Sequence, residues 1–224
     1  MKKKVVFLVC LLISAGLAGA VGGKSIATPV SADRSNTLSA DIPTPPADLS
    51  GLVLSLRDLP AGFKEMPTAV MKKLASDLAS LKPATLFGYQ KSDEEQFQSI
   101  IGFTIQIPDQ IELAQFDAEI RKGNFAQEFS KSLNGGSPED HFPNVTPLTL
   151  EDRIGEISGA WTSKGTIQGK PVNAEFAVFR RGKIVSFLML MYLNGKKPAI
   201  TMSSAARQLD KRIMELKPDL TQPQ

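Results

Sequence analysis

The chain has 224 residues, 42% hydrophobic and 22% charged, an ordinary composition for a globular protein. Its formal charge of +3 reflects Lys2, Lys3 and Lys4 at the N-terminus; the remaining 23 basic residues balance 23 acidic ones, so no basic footprint marks a nucleic-acid binder. The single cysteine, Cys10, lies in the N-terminal segment, which excludes a disulfide framework, a thiolate zinc site and a cysteine nucleophile from the body.

Residues 1–20 have the three parts of an export signal. Lys2-Lys3-Lys4 is the basic region, Val5 to Leu17 the apolar region, and Ala18-Gly19-Ala20 the small-residue cleavage site. Cleavage is expected after Ala20, or after Ala32 in Val30-Ser31-Ala32. Retention as an N-terminal membrane anchor is the alternative: no charge falls between Lys4 and Lys24, although Gly16, Gly19, Gly22 and Gly23 weaken such a helix. Cys10 is a poor lipidation site, because Val9 stands where a small residue is expected. Residues 21–50 are rich in Ser, Thr, Ala, Asp and Pro and read as a disordered linker. The protein is therefore expected to be extracytoplasmic, in a periplasm, a thylakoid lumen or secreted. It should meet the membrane only through an uncleaved leader. Residues 51–217 are enough for a single domain, followed by a tail over 218–224.

Within that domain, Pro60-Ala61-Gly62 reads as a turn with an extended piece after it. Pro67-Thr68 opens a helix to about Leu81, with Met71, Leu74, Leu78 and Leu81 as its apolar stripe and Lys82-Pro83 as its stop. Ala84 to Gln90 is a short strand and Ser92 to Glu95 a polar turn. Phe97 to Ile107 alternates and predicts a half-buried strand. Phe97, Ile101, Phe103, Ile105 and Ile107 point one way, Gln98, Gly102, Thr104 and Gln106 the other.

Asp109 to Leu133 is helical, but its two stripes, Leu113-Phe116-Ile120 and Phe125-Phe129-Leu133, are out of phase. Gly123-Asn124 sits at the slip, where a kink or two short helices are expected. A loop follows through Pro147. Arg153 to Thr166, Val172 to Phe179 and Ile184 to Leu193 are three strands. Their short joins, Gln168 to Pro171 and Arg180 to Lys183, require antiparallel pairing. Ile184 to Leu193 is the longest apolar run outside the leader and reads as a central strand covered on both faces. A final helix carries the stripe Met202, Ala206, Leu209, Ile213 and Leu216. The fold class is α+β: an antiparallel sheet ending in a three-stranded meander, with helices on one or both faces.

Several residues invite a functional reading. His141, the only histidine, stands with Glu139 and Asp140, as a metal or acid–base site or as a polar loop; one histidine makes no zinc triad alone. Asp117, Glu119 and Glu128 read as a carboxylate set or as solvated helix surface. There is no nucleophile elbow, dinucleotide fingerprint or phosphate loop. Arg180, Arg181 and Lys183 cluster at one hairpin tip and Lys196-Lys197 at the opposite end of the last strand. They suit an anionic partner or lipid headgroup, or simply wet turns. Trp161 could line a ligand cleft or fill the core. Phe187, Met189 and Met191 share one face of the central strand, opposite Leu188, Leu190 and Tyr192, and could hold an apolar ligand or partner helix. Packing under the protein's own helix is the simpler account.

The order of elements behind an export signal resembles the PsbP-like α/β/α sandwich proteins of the thylakoid lumen and bacterial envelope. The residues that carry it are Ala174-Glu175-Phe176-Ala177-Val178-Phe179-Arg180-Arg181-Gly182-Lys183-Ile184-Val185 and the later Leu209-Asp210-Lys211-Arg212-Ile213. The resemblance covers the last three-quarters of the chain by topology. It implies an accessory or assembly role around membrane complexes, usually without catalysis; no cofactor is expected. The expectation is thus a non-enzymatic envelope protein that binds a protein partner or an apolar ligand. A hydrolase or metal enzyme using His141 and nearby carboxylates is the alternative, and a structural spacer held by its leader a third reading.

Overall fold

The computed structural model describes residues 49–81, 83–92, 97–107, 109–134, 141–167 and 169–216. The leader, most of the linker, the turn at 93–96, Glu139, Asp140 and the tail lie outside them. A 3₁₀ turn at Leu56–Asp58 leads into β1 (Lys64–Glu65), α1 (Thr68–Asp77), a second 3₁₀ turn (Ala79–Leu81), β2 (Thr85–Ser92) and β3 (Phe97–Gln106). Then come α2 (Gln110–Lys122), α3 (Asn124–Leu133), β4 (Val145–Pro147), β5 (Ile157–Ile167), β6 (Lys170–Arg181), β7 (Ile184–Leu193) and α4 (Met202–Leu216).

The seven strands form one antiparallel sheet in the order β1-β2-β3-β7-β6-β5-β4. The chain builds one edge, crosses through α2 and α3 to the far edge, and returns by the β5–β6–β7 meander. β7 therefore closes the sheet against β3 at its centre, as its unbroken apolar run predicts.

Because side chains alternate across a strand, β7 feeds two cores. Val185, Phe187, Met189 and Met191 face α1, α2 and α3, with Leu74, Leu78, Leu113, Phe116, Ile120, Phe125 and Phe129 against them. Ile184, Leu188 and Leu190 face α4 and the N-terminal segment, with Leu52, Leu54, Phe63, Ala206, Leu209 and Ile213. Helices thus cover both faces, and the fold is an α+β sandwich.

α2 begins where the Asp109 carboxylate accepts from the backbone N–H groups of Ile111 and Glu112, an N-cap that satisfies two otherwise orphaned donors. It ends at Gly123 in the left-handed region (φ 70°), and α3 starts afresh at Asn124. The phase slip in the sequence is therefore two helices.

Four expectations need correction. β3 is buried on both faces, not half-buried, because its polar positions find internal partners. Gln98 donates to the Ile200 carbonyl (2.9 Å) and accepts from the Ala199 N–H (2.7 Å), and Thr104 shares a hydrogen bond with Thr85. The helix predicted to Leu81 ends its α-turns at Asp77. The strand predicted from Arg153 begins at Ile157, since Gly155 takes a left-handed conformation (φ 64°) and gives its N–H to Asp210. Leu216, placed on the buried stripe, is 49% exposed. The loop before Pro147 also contains β4, a three-residue edge strand too short to show a period.

Candidate functional site

The residues singled out from the sequence fall into three places. Trp161, Phe187, Met189 and Met191 are buried in the core under α2 and α3. Phe187 stacks on Phe103 (centroids 4.6 Å apart) and meets Phe116, Phe125 and Phe176, while Trp161 stacks on Phe176 (5.9 Å) and leans on Phe125 (6.3 Å). This face of β7 is thus packed by the protein's own helices.

Arg180 and Arg181 sit at the β6–β7 tip, each in an internal ion pair. Arg180 donates Nε and Nη2 to the Asp117 carboxylate of α2 (2.7 and 2.8 Å) and Nη1 to Glu156. Arg181 donates Nε and Nη2 to Asp210 of α4 (2.9 and 2.6 Å). Hydrogen bonding to those carboxylates raises both guanidinium pKa values, against the opposing effect of burial. Asp117 is therefore not solvated decoration. Glu119 accepts from Asn124 (2.6 Å) and Glu128 pairs with Lys131. Lys183 is half-buried at the same tip, and Lys196 and Lys197 are exposed at the opposite end of β7.

His141 is exposed and its backbone bridges to Thr166, holding the loop after α3 to the end of β5. Gly165 makes that approach possible, since a Cβ there would collide with the His141 carbonyl and the Phe142 ring. Among the described residues no three His, Cys, Asp or Glu side chains gather as a metal site. No helix among them is long and apolar enough to cross a membrane.

The arrangement that sequence reasoning missed lies on the α4 face. Strand register lines side chains into rows across the sheet. Ala160, Ala177, Leu188, Gly102 and Phe87 form an apolar row. The next row toward the β5–β6 turn is Thr146, Thr162, Glu175, Leu190, Ile100, Tyr89 and Glu65. The one beyond is Lys164, Asn173, Tyr192, Gln98 and Lys91, polar in every strand. The face therefore passes from core to polar within two rows.

Within those rows Glu175 and Asn173 are 8% and 7% exposed, whereas Lys164 and Thr146 reach solvent. Tyr192 donates its hydroxyl to Glu175 Oε1 (2.8 Å). Burial raises the Glu175 pKa above the ordinary carboxyl value, partly offset by the Tyr192 hydrogen bond. Burial and the bond to Glu175 likewise raise the Tyr192 pKa. The Asn173 Oδ1 is buried with no hydrogen-bond partner.

Perturbed titratable groups and unsatisfied buried polar atoms are enriched at functional sites; among the described residues Asp77, Ser186 and Gln208 also bury a polar atom without a partner. These rows offer hydrogen bonding and two cations, Lys164 and Lys91, with Lys164 in the row next to a buried carboxyl. They present no activated nucleophile. The signal for them was present in Val172-Asn173-Ala174-Glu175-Phe176, where polar and apolar residues alternate before β6 becomes apolar on both faces.

No family model matches this chain, and no curated protein matches it. Among solved structures it is similar to the crystal structure of LpqN, involved in cell envelope biogenesis of Mycobacterium tuberculosis. The identity is 17%, over 68% of this chain and 78% of that one, with a TM-score of 0.33.

Proposed function

We propose that this chain is an exported, non-enzymatic accessory protein that binds a protein partner at the cell envelope through the polar rows on the α4 face. The leader at residues 1–20 supports the location, and the order of elements supports an accessory role of the PsbP-like kind. The observation that carries the contact surface is the row Lys164, Asn173, Tyr192, Gln98 and Lys91. It forms the polar end of the α4 face, and its Asn173 Oδ1 is buried without a partner. The apolar face formed by Phe187, Met189 and Met191 is filled by α2 and α3, so the contact belongs on the other side of the sheet.

The test is affinity capture from envelope membranes, with mass spectrometry of proteins and lipids. Wild type is compared with Lys164→Glu, in the row, and Lys72→Glu, on the exposed side of α1. A protein recovered by wild type and Lys72→Glu, and reduced at least about fivefold by Lys164→Glu, supports the reading, since a reversed rim charge costs about 1 kcal/mol or more. Equal recovery by both variants, or a lipid-only capture, overturns it.

A further inference from the structure

The Asn173 Oδ1 is a buried acceptor without a donor, which is destabilising when nothing compensates it. One side-chain repeat along the same face of β6 stands Glu175, also more than nine-tenths buried. Tyr192 is opposite Asn173 in the register, and its hydroxyl reaches diagonally to Glu175 Oε1. The tyrosine thus draws the two rows together.

The neighbours leave Asn173 few options. Gln98 turns its amide to Ile200 and Ala199 and lies beyond Tyr192 in the row, and Tyr192 has given its one proton to Glu175. An ionised Glu175 is an acceptor only and offers Oδ1 nothing; a protonated one keeps an oxygen for Tyr192 and gains a hydroxyl donor.

We propose that Glu175 carries a proton in the folded protein and donates it to Asn173 Oδ1, so that the polar end of the sheet is latched by a hydrogen bond that lasts only while that proton is held. On ionisation the proton passes to solvent, leaving a buried charge beside an unpartnered carbonyl. The desolvation of Glu175 acts in the same direction.

The charged groups of α4, which covers this face, are paired with one another or elsewhere: Arg207 with Asp152, Asp210 with Arg181, Lys211 with Glu215 and Arg212 with Asp58. Lys164 on β5, Lys91 and Tyr89 on β2 and Glu65 on β1 lie in the same two rows. Glu151, whose N–H is bonded to Ser203 at the start of α4, lies on the segment covering this face. Lys164, the nearest cation by register, is exposed and therefore screened. Taken with the reading of these rows as the contact surface, the latch makes that surface pH-responsive: closed in acid, loosened as pH rises.

The test is a carbon-13 NMR titration of glutamate carboxyls in the full chain, with the Glu175 signal assigned by its loss in Glu175→Gln. The Glu175 midpoint should lie above the ordinary carboxyl value. The decisive variant is Asn173→Leu, which deepens apolar burial while removing the acceptor. The latch predicts that its Glu175 midpoint falls. Burial alone predicts a rise, and so does a flipped Asn173 amide whose Nδ2 serves an ionised carboxylate; a rise or no change overturns the proposal.

Glu175→Gln is the second variant. Its amide can donate to Oδ1 and still accept from Tyr192, so its unfolding temperature at about pH 8 should equal or exceed wild type, and a lower one overturns the latch. Neither measurement involves a partner. Failure here leaves the contact surface standing, and failure of the capture experiment leaves the latch standing.

Discussion

Replacing Phe187 with alanine distinguishes a packed core from a ligand cleft on the α2–α3 face. The ring is 1% exposed, stacked on Phe103 of β3 at 4.6 Å, and within 6.3 Å of Phe116, Phe125 and Phe176. Those neighbours come from two strands and two helices, so the space left by the ring cannot close without moving four elements. That places the loss at the upper end of the range for buried Phe→Ala, about 4–5 kcal/mol. For a chain of this size the melting temperature should fall by roughly 8–20 °C. Thermal unfolding followed by near-ultraviolet circular dichroism reads the loss directly, because Trp161 lies in the same aromatic cluster. Phe187→Leu should cost much less, since it refills most of the volume. A loss below about 1 kcal/mol would refute the reasoning, since only a loosely filled space open to a ligand tolerates the change so cheaply.

Three further outcomes follow from the geometry. Arg181→Met should destabilise by about 2–3 kcal/mol, discounted from a fully buried pair because the arginine side chain is 21% exposed while Asp210 is 6%. A double-mutant cycle with Asp210→Asn should give a coupling of about 1–3 kcal/mol that changes little with salt. Gly155→Ala should cost about 2–3 kcal/mol against about 1 kcal/mol for Gly195→Ala, as read by urea denaturation. Both residues have positive φ, but a Cβ on Gly155 would press on the Arg180 carbonyl, while that on Gly195 meets open space. Because the folded-state pKa of Glu175 is raised, its contribution to stability is complete below the ordinary carboxyl pKa, falls as pH rises through the raised value, and is level above it. Urea midpoints of wild type minus Glu175→Gln, followed from about pH 4 to pH 8, should trace that decline; a difference that grows with pH in favour of wild type would contradict it.

How far the sequence foretold this protein depended on the range of the interactions involved. The β7 strand was legible because ten consecutive residues carry no charge and β6 is joined to it by a tight turn. The α2–α3 break was legible because a glycine coincides with a shift in helical phase. The buried polar side of β3 was not legible, because Gln98 is satisfied by the backbone at Ala199 and Ile200, about a hundred positions away. For the same reason Arg180 and Arg181 read as decoration of a turn: their carboxylates are 63 and 29 residues distant. The polar rows on the α4 face required the strand order itself, since no local pattern aligns Lys164, Asn173, Tyr192, Gln98 and Lys91.

The two ends of the sheet are built differently. Consecutive residues of a strand point to opposite faces, so Arg180 and Arg181 reach into opposite layers. One is pinned to α2 through Asp117, the other to α4 through Asp210. The β6–β7 tip therefore ties both helical layers to the sheet by bidentate, largely desolvated pairs, which lose several kcal/mol when one partner is removed. At the opposite end, β6 offers Glu175 and Asn173, held by one tyrosine hydroxyl and, on our reading, one proton.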